Sequence, residues 1–411
     1  MTHRRRIWIT GIGVVAPNGI GKEAFWQALR EGKSGISRIQ SFDASSLPCR
    51  IAGEVRGFDP CDFVDGKRAR RMARATQFAV ASARMACEDA CLSLEQVPQE
   101  SFAVVFGIST SAMDMIEREH KVFLRRGVSR MLPYGIVSAT PQSVTGEVVA
   151  ELGLPGSVRT VSTGCAAGLD AVGQGLELIR SGGATTVLAG GSDAAITELI
   201  VAGLCALNIM SRNNERPEEA SCPFDARRDG GVLSEAGGAV ILEEEGAARL
   251  RGAVPYAEVV GYGEAGEVER QMPGTGLQRA MDRALADAGI SPSAIDHISA
   301  HAPSDPLLDA IECKAIRRVF GSRTRRIPVT SIKSMLGNPF AGIGILQTAA
   351  ACLSFAQGIL PPTINYRYPD PECDVDCVGT RPRMCEPEYI LINSHGFGGS
   401  NSSLILRRCH R

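Results

Sequence analysis

Three absences narrow the function of this 411-residue chain before any motif is considered. No stretch approaches the ~18 to 20 consecutive apolar residues that a membrane-spanning helix needs, so we expect no membrane insertion. The 44 basic and 45 acidic side chains nearly cancel, which removes any overall attraction to nucleic acid or to an anionic membrane surface. The 13 cysteines are odd in number and lack a repeated short spacing, which favours reduced thiols in the cytoplasm over a disulfide framework.

Two kinds of ligand site are also missing or poorly represented. The glycine-rich segment GIGVVAPNG (11–19) lacks the third glycine of a dinucleotide fingerprint, and no GxxxxGK[ST] phosphate loop occurs. Cys373 and Cys377 come nearest to a metal-binding pair, but their surroundings, PECDVDCVG, contain no second pair and no histidine. The sequence therefore predicts neither a nucleotide site nor a metal site.

The chain does contain an alternation of strand-like and helix-like segments. Apolar runs at 7–10, 103–106, 185–189 and 390–393 alternate with amphipathic stretches such as 77–91 and 276–288, which predicts an α/β fold. A weak internal duplication accompanies this alternation, because the strand-turn-helix pattern of RTVSTGCAAG (159–168) recurs in PVTSIKSMLGN (328–338). We therefore predict two similar halves, residues 1–250 and 251–411.

Cys165 is the strongest candidate for a catalytic residue. It follows an apolar strand and precedes an amphipathic helix. A thiol at a helix N-terminus faces unpaired backbone N–H groups and the positive end of the helix dipole, which should lower the cysteine pKa. The small neighbours of Cys165 let a substrate approach closely, and backbone amides there can stabilise an oxyanion. We predict that Cys165 is a nucleophile and that the other cysteines are small buried hydrophobes.

A cysteine nucleophile needs an acid-base partner, and two histidines are candidates. His301 ends the strand-like segment IDHISAH, at the strand end where α/β folds place their sites. His395 stands in the glycine-rich turn SHGFGG, where tight backbone geometry can aim its imidazole into a site. His297 lies inside the strand, so we expect it to be structural.

Along residues 5–406 the chain resembles the β-ketoacyl carrier-protein synthases, especially the type II elongating enzymes and the ketosynthases of type II polyketide systems. The resemblance rests on ordered motifs: WITGIGVVAPNG, STGCAAG, PFDARRDGGVLSEAGG, SAHAPSDPLLDAIE, TSIKSMLGN, LPPTINY and NSHGFGGSN. It implies a thiolase fold with a five-layered α-β-α-β-α core, and a homodimer or a heterodimer with another ketosynthase-like subunit. No cofactor is implied, because the substrates are carried on the phosphopantetheine of an acyl carrier protein.

Residue roles follow from the resemblance position by position. It implies that Cys165 accepts the acyl group, that His301 is the first catalytic histidine, and that Lys333 and Glu312 organise the site. Phe397 matches the phenylalanine of the mobile gating loop. The implied reaction transfers an acyl group from a carrier protein to the cysteine, and then decarboxylates a malonyl thioester whose carbanion attacks the acyl-enzyme.

Three departures from the family pattern affect this site. The second catalytic histidine falls at Asn338, which can donate a hydrogen bond to a thioester carbonyl but cannot exchange a proton near neutral pH. Pro303 and Asp305 stand where the family has two threonines that hold the pantetheine arm, so pantetheine recognition must differ. His395 replaces a phenylalanine beside the gate. We hypothesise that His395 partly supplies what Asn338 cannot; the alternative is that it fills the volume of the aromatic ring.

Two further substitutions bear on the acyl substrate. Thr110 and Leu204 align with a bulkier isoleucine and phenylalanine that line the acyl channel in the elongating enzymes. The smaller side chains permit a longer or stiffer acyl chain, such as a polyene or a polyketide. Compensating repacking of the channel is an equal alternative.

A basic segment predicts where the carrier protein docks. GKRARRMARATQF (66–78) concentrates positive charge near the start of a helix, including Lys67, Arg68, Arg71 and Arg74. Most such runs are solvated faces, but the acidic surface of a carrier protein needs a basic landing site. We therefore expect docking here.

Three functions remain open from the sequence. The first is decarboxylative condensation on carrier-protein thioesters. The second keeps the acyl-Cys165 intermediate but transfers the acyl group to a hydroxyl or an amine. The third is a non-condensing partner subunit that sets chain length in a heterodimer, and the retention of Cys165, His301, Lys333 and Glu312 weighs against it.

Overall fold

The structure, a computed structural model, describes residues 4–93, 99–154, 156–268 and 274–410. The strands of the first half are β1 (Ile7–Ala16), β2 (Gly19–Ile20), β3 (Ser37–Arg38), β4 (Ile51–Ala52), β5 (Phe102–Gly107), β6 (Ser157–Val161), β7 (Thr186–Ala194) and β8 (Glu235–Glu244). Those of the second half are β9 (Ala257–Gly266), β10 (His297–Ser299), β11 (Pro328–Thr330), β12 (Ile359–Leu360), β13 (Asp376–Cys377), β14 (Arg383–Met384), β15 (Tyr389–His395) and β16 (Ser400–Arg408).

Helices separate the strands along most of the chain, as the alternating pattern predicts. They are α1 (Lys22–Glu31), α2 (Gly66–Ala69), α3 (Arg74–Asp89), α4 (Met113–Arg126), α5 (Gly135–Ser138), α6 (Pro141–Leu152), α7 (Ala167–Arg180), α8 (Glu198–Ala206), α9 (Glu245–Leu250), α10 (Thr275–Ala288), α11 (Pro306–Phe320), α12 (Lys333–Leu336) and α13 (Gly342–Gln357). None of the helices in the described ranges has both the length and the apolarity needed to cross a bilayer.

The two halves repeat one strand order. Hydrogen bonding places the strands as β1-β8-β7-β5-β6 in the first half and as β9-β16-β15-β10-β11 in the second. In each half the first two pairings are antiparallel and the next two are parallel. The internal duplication inferred from the sequence is therefore present in the strand order, whereas the boundary between residues 250 and 251 stays a prediction.

Helices form the layers on and between the two sets of strands. Helix α3 packs on β1, β7 and β8, whereas α10 packs on β9 and β16 and is covered by α11. Helices α7 and α13 contact each other and strands of both halves, so they form the middle layer. Nearly every residue of α13, GIGILQTAAACLSFAQ, is buried, which is the composition expected of a helix enclosed on all sides. The result is the five-layered arrangement of a thiolase fold.

Glycines in the first strand of each half allow the outer helices to approach closely. A Cβ added at Gly11 or Gly13 would lie 2.2 Å or 1.9 Å from a backbone oxygen of α3. In the second half, a Cβ at Gly261 or Gly263 would lie 2.3 Å from a backbone oxygen of α10. The Gly-x-Gly pattern of GIGVV therefore serves helix packing on the strand.

Candidate active site

A cavity of about 150 Å³ lies where strand ends of the two halves meet. Cys165 follows β6, His301 follows β10, and His395 is the last residue of β15. These three side chains and Asn338 line the cavity together. The structure thus brings together the residues that the sequence proposed as nucleophile, catalytic histidine, histidine substitute and additional imidazole.

Cys165, the predicted nucleophile, lies in a tight turn that also contacts the predicted gating loop (394–401). Cys165 is in a short 3-10 turn, Gly164–Ala166, directly before α7, and it is 1% exposed. Gly164 has a φ of +64°, and a Cβ at Gly396 would lie 2.5 Å from the carbonyl oxygen of Thr163. The backbone N–H of Phe397 donates to the Cys165 sulfur. The gating loop is therefore packed backbone to backbone against the catalytic turn.

The pKa of the Cys165 thiol contradicts the expectation from the helix terminus. Burial raises this pKa to about 11, although the hydrogen bond from Asn338 and the charge of Lys333 oppose the increase. The sequence places the thiol before a helix but does not show that the sulfur is enclosed, and enclosure disfavours the charged form. The resting residue is therefore a thiol at neutral pH.

His301 is held from two sides by charged residues. Its backbone N–H donates to Glu312 Oε1 at 2.9 Å, and the N–H of Ala302 donates to Oε2 of the same carboxylate at 2.7 Å. Lys333 Nζ donates to the carbonyl oxygen of His301 and lies 3.4 Å from its Nδ1. The structure thus places Lys333 and Glu312 around His301, as the resemblance implied.

Lys333 also decides which nitrogen of His301 carries the hydrogen. Burial lowers the pKa of His301 well below its usual value, so its imidazole is neutral. Burial likewise lowers the pKa of Lys333, to about 8, so the ammonium is still protonated at neutral pH. Because an ammonium only donates, the nitrogen facing it, Nδ1, keeps its lone pair and Nε2 carries the hydrogen. His301 therefore offers the site a hydrogen-bond donor.

Asn338 contacts the nucleophile directly. Its Nδ2 donates to Cys165 Sγ at 3.6 Å. Its backbone N–H donates to the carbonyl oxygen of Val232 at 2.7 Å, and its own carbonyl oxygen accepts from the N–H of Ser234 at 3.1 Å. The side-chain oxygen Oδ1 is buried and has no hydrogen-bond partner among the described residues. The backbone hydrogen bonds of Asn338 thus fix the position of its donating Nδ2, and its Oδ1 remains an unpaired acceptor.

His395 lies beside His301 and is oriented by a buried asparagine. The two rings are 6.0 Å apart between centroids, with an interplanar angle of 64°. His395 Nδ1 lies 2.5 Å from Asn401 Oδ1. Asn401 Nδ2 donates to the carbonyl oxygens of Ala265 and Gly399 at 3.3 Å and 3.0 Å, which fixes the amide with Oδ1 toward the imidazole. Because Oδ1 only accepts, Nδ1 of His395 carries the hydrogen.

Of the predicted gate and acyl-pocket residues, some line the cavity and one does not. Phe397 lines the cavity, is 52% exposed, and stacks edge-on with Phe340 at 6.4 Å between centroids. Leu204 also lines the cavity, but Thr110 is not among the lining residues. The hydroxyl of Thr110 donates to Asp193 at 2.8 Å instead. A role for Thr110 in an acyl channel stays a prediction.

Pro303 and Asp305 both line the cavity, where a pantetheine arm was expected. Asp305 Oδ1 also accepts from the backbone N–H groups of Leu307 and Leu308, each at 2.9 Å. It therefore caps the N-terminus of α11, and Pro306 follows as the first residue of that helix. This role was missed, although Asp followed by Pro is a recognisable helix-start signal.

One member of the predicted docking cluster is paired with a buried carboxylate. Arg74 is only partly exposed, and its guanidinium donates to Glu235 at 2.6 Å and 2.8 Å. The sequence could not show this, because the partner lies 161 positions away. Lys67, Arg68 and Arg71 are exposed. Of these, Arg68 pairs with carboxylates of α6 at 2.8 Å and 3.2 Å.

Two asparagines that the sequence reasoning missed support the site. Asn401 orients His395, and Asn393 Nδ2 donates to Glu312 Oε1 at 3.1 Å. Both belong to the segment NSHGFGGSN, one on each side of its glycines. Their symmetric position around the turn was an available signal.

Cys373 and Cys377 are both buried in the core of the second half, next to Cys313. Within the described ranges, no three His, Cys, Asp or Glu side chains are grouped so that they could hold a metal ion. The two cysteines therefore have the surroundings of ordinary core residues.

Comparisons with known proteins cover almost the whole chain. The family descriptions "Beta-ketoacyl synthase, N-terminal domain" and "Beta-ketoacyl synthase, C-terminal domain" match residues 4–248 and 256–367. The 3-oxoacyl-[acyl-carrier-protein] synthase 2 of Synechocystis sp. is 37% identical over 409 residues, 98% of each chain. The protein of the same name from Coxiella burnetii is 38% identical over 409 residues, covering 98% of this chain and 99% of the relative.

Solved structures of polyketide ketosynthases also match over the full length. The ishigamide ketosynthase/chain length factor superposes with a TM-score of 0.94 at 32% identity, covering 99% of this chain and 100% of the matched one. A type II polyketide acyl-carrier protein in complex with its ketosynthase matches with a TM-score of 0.91, 33% identity and the same coverage. The chain therefore belongs to the beta-ketoacyl synthase family and is an acyl-transferring condensing enzyme of the synthase 2-like type.

Proposed function

We propose that the protein loads an acyl group from an acyl carrier protein onto Cys165 and condenses it with a malonyl carrier thioester. In loading, Cys165 Sγ forms a bond to the acyl carbon, the bond from that carbon to the carrier sulfur breaks, and the thiol proton of Cys165 passes to the carrier sulfur. In condensation, the malonyl unit loses CO₂, its carbanion forms a C–C bond to the acyl carbon, the C–S bond to Cys165 breaks, and the released sulfur takes up a proton from water. The observation that carries the proposal is the convergence of Cys165, His301 and Asn338 on one cavity.

Asn338 takes the place of the second catalytic histidine in this proposal. Decarboxylation requires donors for the oxygen of the developing enolate, and it does not require proton exchange with the residue that donates. His301 offers Nε2–H and Asn338 offers Nδ2, which lies 3.6 Å from the nucleophile. A neutral donor of this kind can serve where the family uses an imidazole.

Intact-protein mass spectrometry tests both steps. The enzyme is incubated first with an acyl carrier thioester and then with malonyl carrier protein. We expect acyl-Cys165 in the first step and a β-ketoacyl carrier product in the second, and neither in Cys165→Ala. Loading without a β-ketoacyl product would contradict condensation, and no loading from a competent carrier would favour a non-condensing partner subunit.

The basic surface around α2 is our proposal for carrier docking. Lys67 and Arg71 are exposed, and Arg71 lies 5.9 Å from the centroid of the Tyr134 ring. Arg68 contributes less charge, because carboxylates of α6 pair with it. The phosphopantetheine arm would then enter the cavity past Pro303 and Asp305, which line it.

Charge reversal tests docking separately from chemistry. Lys67→Glu with Arg71→Glu should raise the KM for a carrier-bound substrate and leave the KM for a small thioester mimic unchanged. Arg326→Glu, an exposed arginine of the second half, is the matched control. An equal rise for both substrates would contradict docking at this surface.

We also propose that a second ketosynthase-fold subunit covers the face formed by α4, α5 and β6. Strand β6 is the edge of its sheet, and its residues 157–159 are exposed. Large apolar side chains exposed on and beside α4 and α5 are Ile116, Phe123, Leu124, Val128, Tyr134, Ile136 and Val137. An apolar surface of this kind beside an open strand edge is typical of an interface between subunits.

Native mass spectrometry of the purified chain tests this interface. We expect a dimer that Ile136→Arg weakens and that Leu250→Arg, at a position 92% exposed elsewhere, leaves intact. A chain that is monomeric alone and dimeric with a second ketosynthase-like subunit would identify a heterodimer. A monomer under both conditions would contradict the proposal.

We place the protein in the cytoplasm. Each of its 13 cysteines is described, and all of them are free thiols. Unpaired thiols in this number are typical of a reducing compartment. Cell fractionation of the native host checks this placement, and recovery from an oxidising compartment would contradict it.

A further inference from the structure

We propose that the same site also transfers the Cys165-bound acyl group to an acceptor bearing an O–H or N–H group, with His395 as the base that takes the acceptor's proton. This inference rests on the proposed loading of Cys165. It adds an acceptor that is chemically different from a malonyl thioester.

The hydrogen-bond roles of the cavity residues carry the argument. His301 Nε2, Asn338 Nδ2 and the N–H of Phe397 are donors, which suit the oxygen of an acyl group or an enolate. The carbanion formed by decarboxylation has no proton to give up. Condensation therefore makes no use of a proton acceptor beside the acyl-enzyme.

His395 nevertheless presents such an acceptor. Asn401 is 1% exposed, and its amide is fixed by two backbone carbonyls, so its Oδ1 accepts from His395 Nδ1 at 2.5 Å. Nδ1 is therefore the donating nitrogen of His395, which leaves Nε2 to accept, and no described residue hydrogen bonds to Nε2. Asn401 acts as a positioning residue, because it selects the tautomer without contacting the cavity reactants.

The position of His395 suits an acceptor that lies between it and the acyl group. Its ring is 6.0 Å from that of His301 between centroids, and both rings line the cavity with Cys165. No hydrogen bond joins His395 to the Cys165 sulfur within the described part of the chain, and both residues border the same cavity. The buried Asn338 Oδ1, which also lacks a partner there, is a second acceptor close to the nucleophile.

The transfer balances without a further reactant. The oxygen or nitrogen of the acceptor forms a bond to the acyl carbon, and the bond from that carbon to Cys165 Sγ breaks. The acceptor's proton moves to His395 Nε2 and then to the departing sulfur. A thioester and an alcohol or amine thus give an ester or amide and the free thiol.

Acyl-Cys165 prepared from a small thioester tests the inference. The loaded enzyme is divided among buffer alone, 1-propanol, propylamine and malonyl carrier protein, and deacylation and products are followed by mass spectrometry. We expect propanol or propylamine to yield an acyl ester or amide, and to accelerate deacylation over buffer. The two acceptors distinguish O–H from N–H chemistry.

Two variants of His395 distinguish its role as a proton acceptor from the effect of its side-chain volume. His395→Phe keeps an aromatic ring, and His395→Gln keeps polar atoms, but neither can act as a base. Both should lower acceptor-dependent transfer by about 100-fold, the usual scale of general-base catalysis. His410→Phe, at an exposed histidine paired with Glu388, is the matched control.

The outcomes distinguish this inference from the proposed condensation. Equal transfer in wild type and His395→Phe, or no ester or amide from loaded wild type, would overturn the inference even if the β-ketoacyl product forms. Transfer that depends on His395 without any β-ketoacyl product would overturn condensation and keep the inference. If Cys165 takes no acyl group, both are wrong.

Discussion

Raising the pH should increase the alkylation rate of Cys165 well beyond the range in which an ordinary cysteine is already ionised. Burial raises the pKa of this thiol to about 11, whereas an unperturbed cysteine titrates near ~8.5. At pH 7.5 the thiolate fraction is then about 300-fold smaller than that of an ordinary thiol, because the fraction falls about tenfold for each pH unit below the pKa. Since the thiolate is the reactive form, the rate should rise about tenfold per pH unit until the pH approaches 11.

Iodoacetamide labelling read by peptide mass spectrometry measures this profile. The enclosed sulfur is reached slowly at every pH, so the shape of the profile matters and the absolute rate does not. N-acetylcysteine is the reference thiol, and circular dichroism checks that the fold persists at each pH. In Asn338→Ala the profile should move to still higher pH, because that side chain's hydrogen bond stabilises the thiolate. A plateau below pH 9 would refute the reasoning and support the effect of the helix terminus.

Three further predictions use the same cavity and its supports. Condensation should slow above pH about 8, where Lys333 loses its proton; initial rates that stay constant to pH 10 would contradict this role. Asn338→Ala should lower condensation by about 100-fold, the usual effect of losing one oxyanion donor, with acylation of the nucleophile retained in mass spectra. Gly168→Ala should cost about 3 kcal/mol in urea unfolding, because its Cβ would lie 2.1 Å from a backbone oxygen. Gly203→Ala, an exposed position inside α8 with nothing within 4 Å of the added Cβ, should stabilise by up to about 1 kcal/mol.

The longer elements could be predicted because each is specified by its own residues. The apolar run at 103–106 became β5 (Phe102–Gly107), and the amphipathic stretch at 276–288 became α10 (Thr275–Ala288). The opening strand was predicted too short, since its glycines resemble a strand end but serve as contacts for α3. Two-residue strands such as β12 and β14 were not predicted, because they form only where distant segments meet.

The predictability of the site also depends on whether a feature is set by neighbouring residues or by residues distant in the sequence. Cys165 and His301 could be identified because turn and strand motifs adjoin each of them, whereas Asn338 was identified only through the resemblance to the family. The raised pKa of Cys165 could not be predicted, because residues from both halves enclose the sulfur. The pairing of Arg74 could not be predicted for the same reason, since Arg74 begins α3 and its partner Glu235 begins the distant strand β8. Burial and pairing are properties of the assembled chain.

The partners of the two imidazoles argue that Asn338→His would not simply restore the usual site. Lys333 offers only hydrogens, which makes His301 a donor at Nε2, and Asn401 offers a lone pair, which makes His395 an acceptor at Nε2. The amide of Asn338 already donates to the nucleophile, and its backbone is held by Val232 and Ser234. An imidazole at position 338 would present either a donor or an acceptor to the cavity, depending on its tautomer. No described neighbour selects one of these two tautomers. We therefore expect Asn338→His to support condensation less well than the native residue, and a gain in condensation rate would show that proton exchange at this position limits the enzyme.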